Sequence, residues 1–224
     1  MLLELLLPAR CVVCRRGGTQ LCGACRAGFP RLRPPWCERC GAPTAWPVRR
    51  CVECGGRRLA FGGARAAVAY DDAVRVAVGA WKARGLRRLA GAFADGVAEV
   101  LEPPKAPLAF VPSDPARHRV RGGHPAEALA RELGPRWQLP VLALLTRRSG
   151  PRQRGLPLAA RRANVRGAFE SRPAPRRVVL LDDVYTTGAT VHAAASALRR
   201  AGARQVDVIT FARAVRAYTV RSEA

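Results

Sequence analysis

Residues 178–190 read V-V-L-L-D-D-V-Y-T-T-G-A-T. The four apolar residues predict a buried β-strand, two carboxylates follow at its carboxyl end, and a hydroxyl-rich turn with one glycine leads into a predicted helix. Ligands of open parallel sheets bind at the carboxyl ends of the strands. This stretch therefore predicts an α/β fold with a binding site at the turn.

The turn has the chemistry of a sugar phosphate site. Successive backbone N–H groups, threonine hydroxyls and a helix N-terminus suit a phosphate. The predicted phosphate-binding residues are Tyr185, Thr186, Thr187, Gly188, Ala189 and Thr190. Asp182 and Asp183 can each accept a hydrogen bond from one of two vicinal sugar hydroxyls. The alternative is that the carboxylates only end a strand and the threonines only cap a helix.

Short β-like segments alternate with alanine-rich helical segments from about residue 61 onward. Such alternation predicts right-handed crossovers and a parallel sheet covered by helices on both faces. The predicted strands are 64–70, 108–111, 141–145, 178–181 and 205–211, with one or two helices within 73–100 and further helices at 126–133 and 191–200. We expect this α/β domain to span residues 61–224.

All eight cysteines lie between residues 11 and 54, in four C-x-x-C units. Each unit can direct two thiolates at one metal ion, and two units complete a tetrahedral shell of four sulfurs, so the count predicts two structural Zn²⁺ ions. The predicted ligands are Cys11, Cys14, Cys22, Cys25, Cys37, Cys40, Cys51 and Cys54. The spacing leaves open whether neighbouring or interleaved units share an ion. The alternatives are a disulfide framework and a redox pair at Cys22 and Cys25.

Residues 1–60 are expected to form a small separate domain. Glycine and proline make the segment rich in turns, so we expect metal binding rather than burial alone to stabilise it.

The apolar run at residues 1–7 is interrupted by Glu4 and is too short to span a membrane. We therefore expect a cytoplasmic protein without membrane insertion.

The chain is strongly basic, with 39 Lys and Arg against 16 Asp and Glu and a net charge of +23. Such a charge attracts polyanions, including nucleic acids and nucleotides, although a solvated basic surface is the alternative. Only Lys82 and Lys105 are lysines, and the other basic residues are all arginines.

Residues 178–190 resemble the phosphoribosyl pyrophosphate (PRPP) motif of type I phosphoribosyltransferases. With the paired C-x-x-C units in front of it, this motif is similar to the ComF family of competence-associated proteins, and the resemblance covers nearly the whole chain. Residues 153–164, which read Q-x-x-L-x-x-x-x-R-x-x-N, and the segment from Tyr70 to Lys82 are also similar to that family. The chain departs from the family's usual sequence within 111–115 and 121–125.

The resemblance implies a ligand and roles for the site residues. PRPP would bind with Mg²⁺, and Asp182 and Asp183 would be the catalytic pair that holds the sugar, while the turn holds the 5-phosphate. Ser113, Lys82 and Arg121 would meet the pyrophosphate leaving group. The arginine-rich segment 147–167 could fold over the ligand, or could be a solvated loop.

The resemblance also implies two functions. The first is a competence protein of DNA uptake that binds PRPP and acts on or with single-stranded DNA in the cytoplasm, together with other DNA-uptake proteins. The second is an active Mg²⁺-dependent phosphoribosyltransferase that acts on an unidentified acceptor. Trp36, Trp46 and Phe61 could stack on the bases of a single strand, or could pack around the metals.

Overall fold

The computed structural model describes residues 9–84, 88–114, 124–148 and 167–215. Its centre is a five-stranded sheet in which every neighbouring pair of strands is parallel, in the order β1-β7-β6-β2-β3. These strands are β1 (Ala64–Ala69), β2 (Leu108–Phe110), β3 (Val141–Leu142), β6 (Arg177–Tyr185) and β7 (Gln205–Arg213). The remaining two strands, β4 (Leu145–Arg147) and β5 (Phe169–Ser171), pair antiparallel in a separate ribbon.

Helices cover both faces of the sheet. They are α2 (Asp72–Arg84), α3 (Arg88–Ala98), α4 (Pro125–Trp137) and α5 (Ala189–Arg200), and a short α1 (Gly23–Ala27) lies in the cysteine-rich segment. Alternate residues of β6 face opposite sides: Val179 and Leu181 pack with α2, α3 and α4, whereas Val178 and Leu180 pack with α5. The two-residue period of a strand thus divides the protein into two apolar cores.

The cysteine-rich segment forms two halves that pack on opposite faces of the same sheet. The first half contributes Leu21 and Phe29 to the core beside α2, α3 and α4, while the second contributes Leu59 and Phe61 to the core beside α5. Between them, Arg31 forms an antiparallel bridge with Val68 of β1. This bridge covers the exposed edge of β1, which would otherwise present unpaired backbone groups.

Gly41 marks the closest approach between the second half and the sheet. It adopts φ +70°, and a Cβ there would collide with the carbonyl oxygen of Ala64 in β1. Only glycine combines that backbone conformation with this approach of one backbone to another. The second half is therefore fixed directly against the first strand.

The predicted fold class is confirmed: a mostly parallel sheet with helices follows an N-terminal cysteine-rich region. Several element boundaries differ from the sequence prediction, including longer helices at Pro125–Trp137 and Ala189–Arg200 and a longer β7. The predicted strand 141–145 divides into β3 and β4 at a tight turn, where the Leu144 N–H donates to the Leu142 carbonyl, and β5 was not predicted. Strand β6 continues through residues 182–185 because these pair with residues 210–213 of β7. In the described part of the chain no helix is long and apolar enough to cross a membrane.

Candidate phosphate-binding crevice and metal centres

An open crevice of about 330 Å³ lies at the carboxyl edge of the sheet. It lies at the carboxyl ends of β2 and β6. The residues that follow these two neighbouring parallel strands meet at this edge of the sheet. Its polar lining comes from Tyr70, Lys82, Ser113, Asp114, Arg147, Asp182, Asp183, Thr186 and Thr190. The structure therefore brings most of the predicted ribose and pyrophosphate residues into one place.

The two adjacent aspartates have different surroundings. Asp183 forms an ion pair with Lys82, whose Nζ lies 2.6 Å from its Oδ1. Asp182 accepts a hydrogen bond from the backbone N–H of Asp183 at 2.9 Å, and it forms no ion pair with a residue of the described ranges. Lys82, near the end of α2, therefore contacts the acidic pair directly.

The crevice alters the protonation of Asp182. Burial of its carboxyl and the neighbouring charge of Asp183 together raise its pKa to about 8, although the hydrogen bond from the Asp183 N–H and the positive charge of Lys82 oppose part of that rise. The carboxyl is consequently mostly protonated at neutral pH in the free protein, and a ligand that stabilises its ionised form must displace a proton.

The turn at the end of β6, residues 185–190, is named the phosphate loop here because its groups are those that suit a phosphate. Gly188 adopts φ +72° at the N-cap of α5, and its missing side chain leaves room for the Tyr185 hydroxyl. Thr186 and Thr187 are exposed, and Thr190 lies on the first turn of α5 beside the crevice. The described loop therefore presents a glycine turn, threonine side chains and a twelve-residue helix N-terminus at one edge.

Tyr185 points away from the crevice. Its ring is only 3% exposed and packs edge-on against Phe61, and burial raises the pKa of its hydroxyl. Ser113 lies in the crevice, and its backbone N–H donates to His124 Nδ1 at 3.1 Å. Of the sequence-predicted residues, Arg121, residues 153–164 and most of the arginine-rich segment lie outside the described residues.

The eight cysteines form two groups. Within each group the four sulfurs all lie within 4.8 Å of one another: Cys11, Cys14, Cys22 and Cys25 in the first centre, and Cys37, Cys40, Cys51 and Cys54 in the second. Neighbouring units of the chain therefore share a centre, which resolves the pairing that the sequence left open. All eight thiols are free, an arrangement that agrees with metal ligation rather than with a disulfide framework.

The sulfur geometry tests whether zinc fits. Four sulfurs around Zn²⁺ at the usual bond length are separated by about 3.8 Å. The sulfurs of Cys37 and Cys54 are 3.6 Å apart, and those of Cys40 and Cys51 are 3.5 Å apart. Both four-cysteine centres are consistent with closed structural zinc sites that leave no position for a catalytic water.

A buried arginine that the sequence analysis missed lies behind the phosphate loop. Arg213 is 1% exposed, and its guanidinium lies 2.7 Å from Glu53 and 4.5 Å from the centre of the Tyr185 ring. The available signal was its place directly after the mostly apolar residues 208–212 of β7, because a charged residue is buried only with a partner. That partner comes from the segment between Cys51 and Cys54.

Comparisons with known proteins agree with these features. Residues 2–56 match the double zinc ribbon domain family, and residues 85–224 match the phosphoribosyl transferase domain family. Competence protein F of Haemophilus influenzae is 28% identical over 226 residues, covering 92% of this chain and 97% of the relative. Competence protein ComFC of Streptococcus pneumoniae is 26% identical over 208 residues, covering 89% of this chain and 90% of the relative. The chain therefore belongs to the phosphoribosyl transferase domain family, carries a double zinc ribbon in front of that domain, and is similar over most of its length to these competence proteins.

Proposed function

We propose that this protein binds PRPP with Mg²⁺ in the crevice and acts with single-stranded DNA in DNA uptake. The main observation in favour of PRPP as the ligand is that Asp182, Asp183 and the loop ending in Thr190 lie around one open crevice. The curated relatives are both named as competence proteins, which supports the DNA-uptake context. We place the protein in the cytoplasm, where PRPP is made and used.

Each part of the crevice suits one part of PRPP. The two carboxylates accept hydrogen bonds from the ribose hydroxyls, and the loop residues 186–190 donate to the 5-phosphate. Ser113, Lys82 and Arg147 also line the crevice, and we propose that they contact the pyrophosphate together with Arg121. The carboxylates of Asp114, Asp182 and Asp183 supply the oxygen ligands that Mg²⁺ prefers, and the ion would neutralise pyrophosphate charge.

The direct test is calorimetric titration of the protein with PRPP and Mg²⁺. We expect saturable binding of one PRPP per chain, and weaker binding of ribose 5-phosphate, which lacks the pyrophosphate. If neither compound binds, the crevice is not a ribose phosphate site and the proposal fails.

The affinity for Mg²⁺·PRPP is expected to rise with pH. Hydrogen bonds from ribose hydroxyls favour ionised Asp182, whose pKa in the free protein is raised to about 8. Binding below that pH therefore releases a proton, so affinity increases between pH 7 and 8 by up to about tenfold per unit and levels off above it. Titrations from pH 7 to 9 lie above the range in which phosphate groups titrate. A released proton is taken up by the buffer, so the measured binding enthalpy should depend on the ionisation enthalpy of the buffer. Equal binding enthalpies in buffers with different ionisation enthalpies would contradict proton release.

The second zinc ribbon carries the surface that best fits single-stranded DNA. A groove of about 480 Å³ is lined by Glu38, Arg39, Arg49, Arg50 and Gly62. Beside it in sequence, Trp46 is 69% exposed, whereas Phe61 is 1% exposed and so is unavailable for stacking. Arginines for phosphates beside an exposed ring for a base are the features that single-strand binders combine.

Trp46→Ala is expected to weaken binding of an oligothymidylate by about tenfold, because stacking of one base on an aromatic ring contributes about 1–3 kcal/mol. Fluorescence anisotropy measures the affinity, and wild-type affinity should fall steeply with salt as counterions are released. Val52→Ala is the matched control, since Val52 is also exposed, at 79%, on the same ribbon. Equal losses in both variants would contradict a stacking role for Trp46.

The alternative function is phosphoribosyl transfer to an unidentified acceptor. It is favoured by the contact between Lys82 and Asp183 inside the crevice, because such a charged pair can reorganise around developing charge at the ribose and pyrophosphate. A transferase releases pyrophosphate from PRPP once the acceptor is present, whereas a protein that only binds PRPP does not.

We propose that the domain boundary lies near residue 60. Strand β1 (Ala64–Ala69) pairs with β7 over most of its length and so belongs to the sheet of the phosphoribosyltransferase domain. Residues 1–60 then form the double zinc ribbon and residues 61–224 form the ligand-binding domain.

A further inference from the structure

The second zinc centre lies directly behind the phosphate loop. Arg213 Nη1 donates to the carbonyl of Cys40 at 2.6 Å, and its Nη2 lies 2.7 Å from Glu53. Both partners belong to the second four-cysteine centre or its connecting segment. Glu53 is held there because it lies between the two metal ligands Cys51 and Cys54.

The same segment contacts the loop from the other side. Arg57, three residues after Cys54, donates to the carbonyl of Thr187 at 2.6 Å. The guanidinium of Arg213 lies 4.5 Å from the centre of the Tyr185 ring, and the Ala214 N–H donates to the Tyr185 carbonyl at 2.9 Å. Arg213 therefore contacts Tyr185, the first residue of the phosphate loop, and Arg57 contacts Thr187 in the middle of the loop.

Apart from the apolar contact of the Tyr185 ring with Phe61, the contacts between the loop and the ribbon are polar. A cavity of about 180 Å³ separates the loop from the ribbon, lined by Cys40, Glu53, Arg57, Tyr185, Thr186, Thr187 and Arg213. Three buried atoms of these residues, Glu53 Oε1, Tyr185 Oη and Arg213 Nε, have no hydrogen-bond partner within the part of the chain that the structure describes. The polar part of the connection therefore depends on a few charged contacts, and the loss of one leaves a buried group unpaired.

We propose that Glu53, Arg57 and Arg213 are positioning residues through which the second zinc ribbon holds the phosphate loop in its ligand-binding conformation. This inference rests on the proposed binding of a ribose 5-phosphate group by that loop. None of the three side chains lines the crevice. They act on the ligand through Tyr185 and the backbone of Thr187, so their effect is confined to the 5-phosphate end.

Glu53→Gln tests the proposal, because it keeps the size of the side chain and removes the charge that neutralises Arg213. We expect affinity for ribose 5-phosphate to fall about tenfold, the size of one lost charge-assisted contact. Affinity for inorganic pyrophosphate with Mg²⁺, which does not need the loop, should stay unchanged. A merely structural role would lower thermal stability without changing the ratio of these two affinities.

Glu99→Gln is the matched control. Glu99 also joins a ribbon to the sheet domain, through ion pairs with Arg26 and Arg31, but it does so beside the first zinc centre. It should leave both affinities unchanged. Zinc content verifies that each variant keeps two ions, and Arg57→Gln is the second variant if Glu53→Gln does not fold.

Amide hydrogen exchange gives an independent readout without any ligand. Residues 185–190 should exchange faster in Glu53→Gln and Arg57→Gln than in wild type, and at the wild-type rate in Glu99→Gln. Faster exchange in a protein that binds no ribose phosphate would keep the positioning role and reject the proposed function. Unchanged exchange and an unchanged affinity ratio would overturn the inference.

Discussion

Replacing Asp182 and Asp183 together with asparagine is expected to abolish measurable binding of PRPP. Both side chains line the crevice, and each supplies an anionic acceptor for a ribose hydroxyl in the proposed complex. A hydrogen bond to a charged group contributes about 1.5–3 kcal/mol, so the double variant should lose at least about 100-fold in affinity. Calorimetry with PRPP and Mg²⁺ measures the change.

The single variant Asp182→Asn separates binding from stability. The folded protein raises the pKa of Asp182 to about 8, whereas the unfolded chain ionises it near its ordinary value of 3.8. An acid with a raised folded pKa destabilises the fold as pH rises from about 4 to about 8, because the unfolded chain releases its proton first. Asparagine removes that cost, so Asp182→Asn should bind PRPP poorly yet melt at a higher temperature than wild type at pH 8.

The control is a double variant with the same number of carboxyl groups replaced by amides, Asp72→Asn with Glu132→Gln. Both residues form ion pairs within one helix turn, with Arg75 and Arg136 respectively, and neither lines the crevice. Its affinity for PRPP should match that of wild type. If the aspartate variants also bind like wild type, residues 182–190 do not form the ribose site.

The sequence predicted the parts of the site that depend on local order in the chain. Residues 178–190 place a strand, two carboxylates and a glycine turn in one continuous run, so their arrangement follows from the local backbone alone. The two-residue spacing of the C-x-x-C units likewise predicts metal ligands whatever the surrounding fold. Both features are found in the structure where the sequence analysis expected them.

The parts that were missed depend on contacts between distant segments. Arg213 and Glu53 are separated by 160 residues and meet only because the second ribbon packs on the α5 face of the sheet. Zinc pairing was open for a related reason, since the spacing permits both arrangements and only the folded path of the chain selects one. The short β5 was missed because its residues pair with β4 outside the main sheet.

Zinc removal is expected to have the second large effect, the loss of the folded ribbon. Structural zinc contributes about 10–16 kcal/mol in zinc-finger peptides, which matches or exceeds the whole stability of a typical domain. The first centre contains the exposed Cys14, whereas three of the four cysteines of the second centre are buried. A chelator that absorbs light when it binds zinc should therefore record a fast release of one ion followed by a slow release of another.

The two centres should also differ in what their loss does to the ligand site. Cys14→Ser and Cys51→Ser each remove one ligand, and each variant should retain about one zinc ion per chain because the other centre still has all four sulfurs. Only the second centre holds Glu53 and Arg57 against the phosphate loop, so Cys51→Ser should lower affinity for ribose 5-phosphate while Cys14→Ser should not. Equal losses in both variants would mean that zinc stabilises the protein as a whole. A loss confined to Cys51→Ser would assign one ribbon to the ligand site and leave the other to hold the opposite face of the sheet.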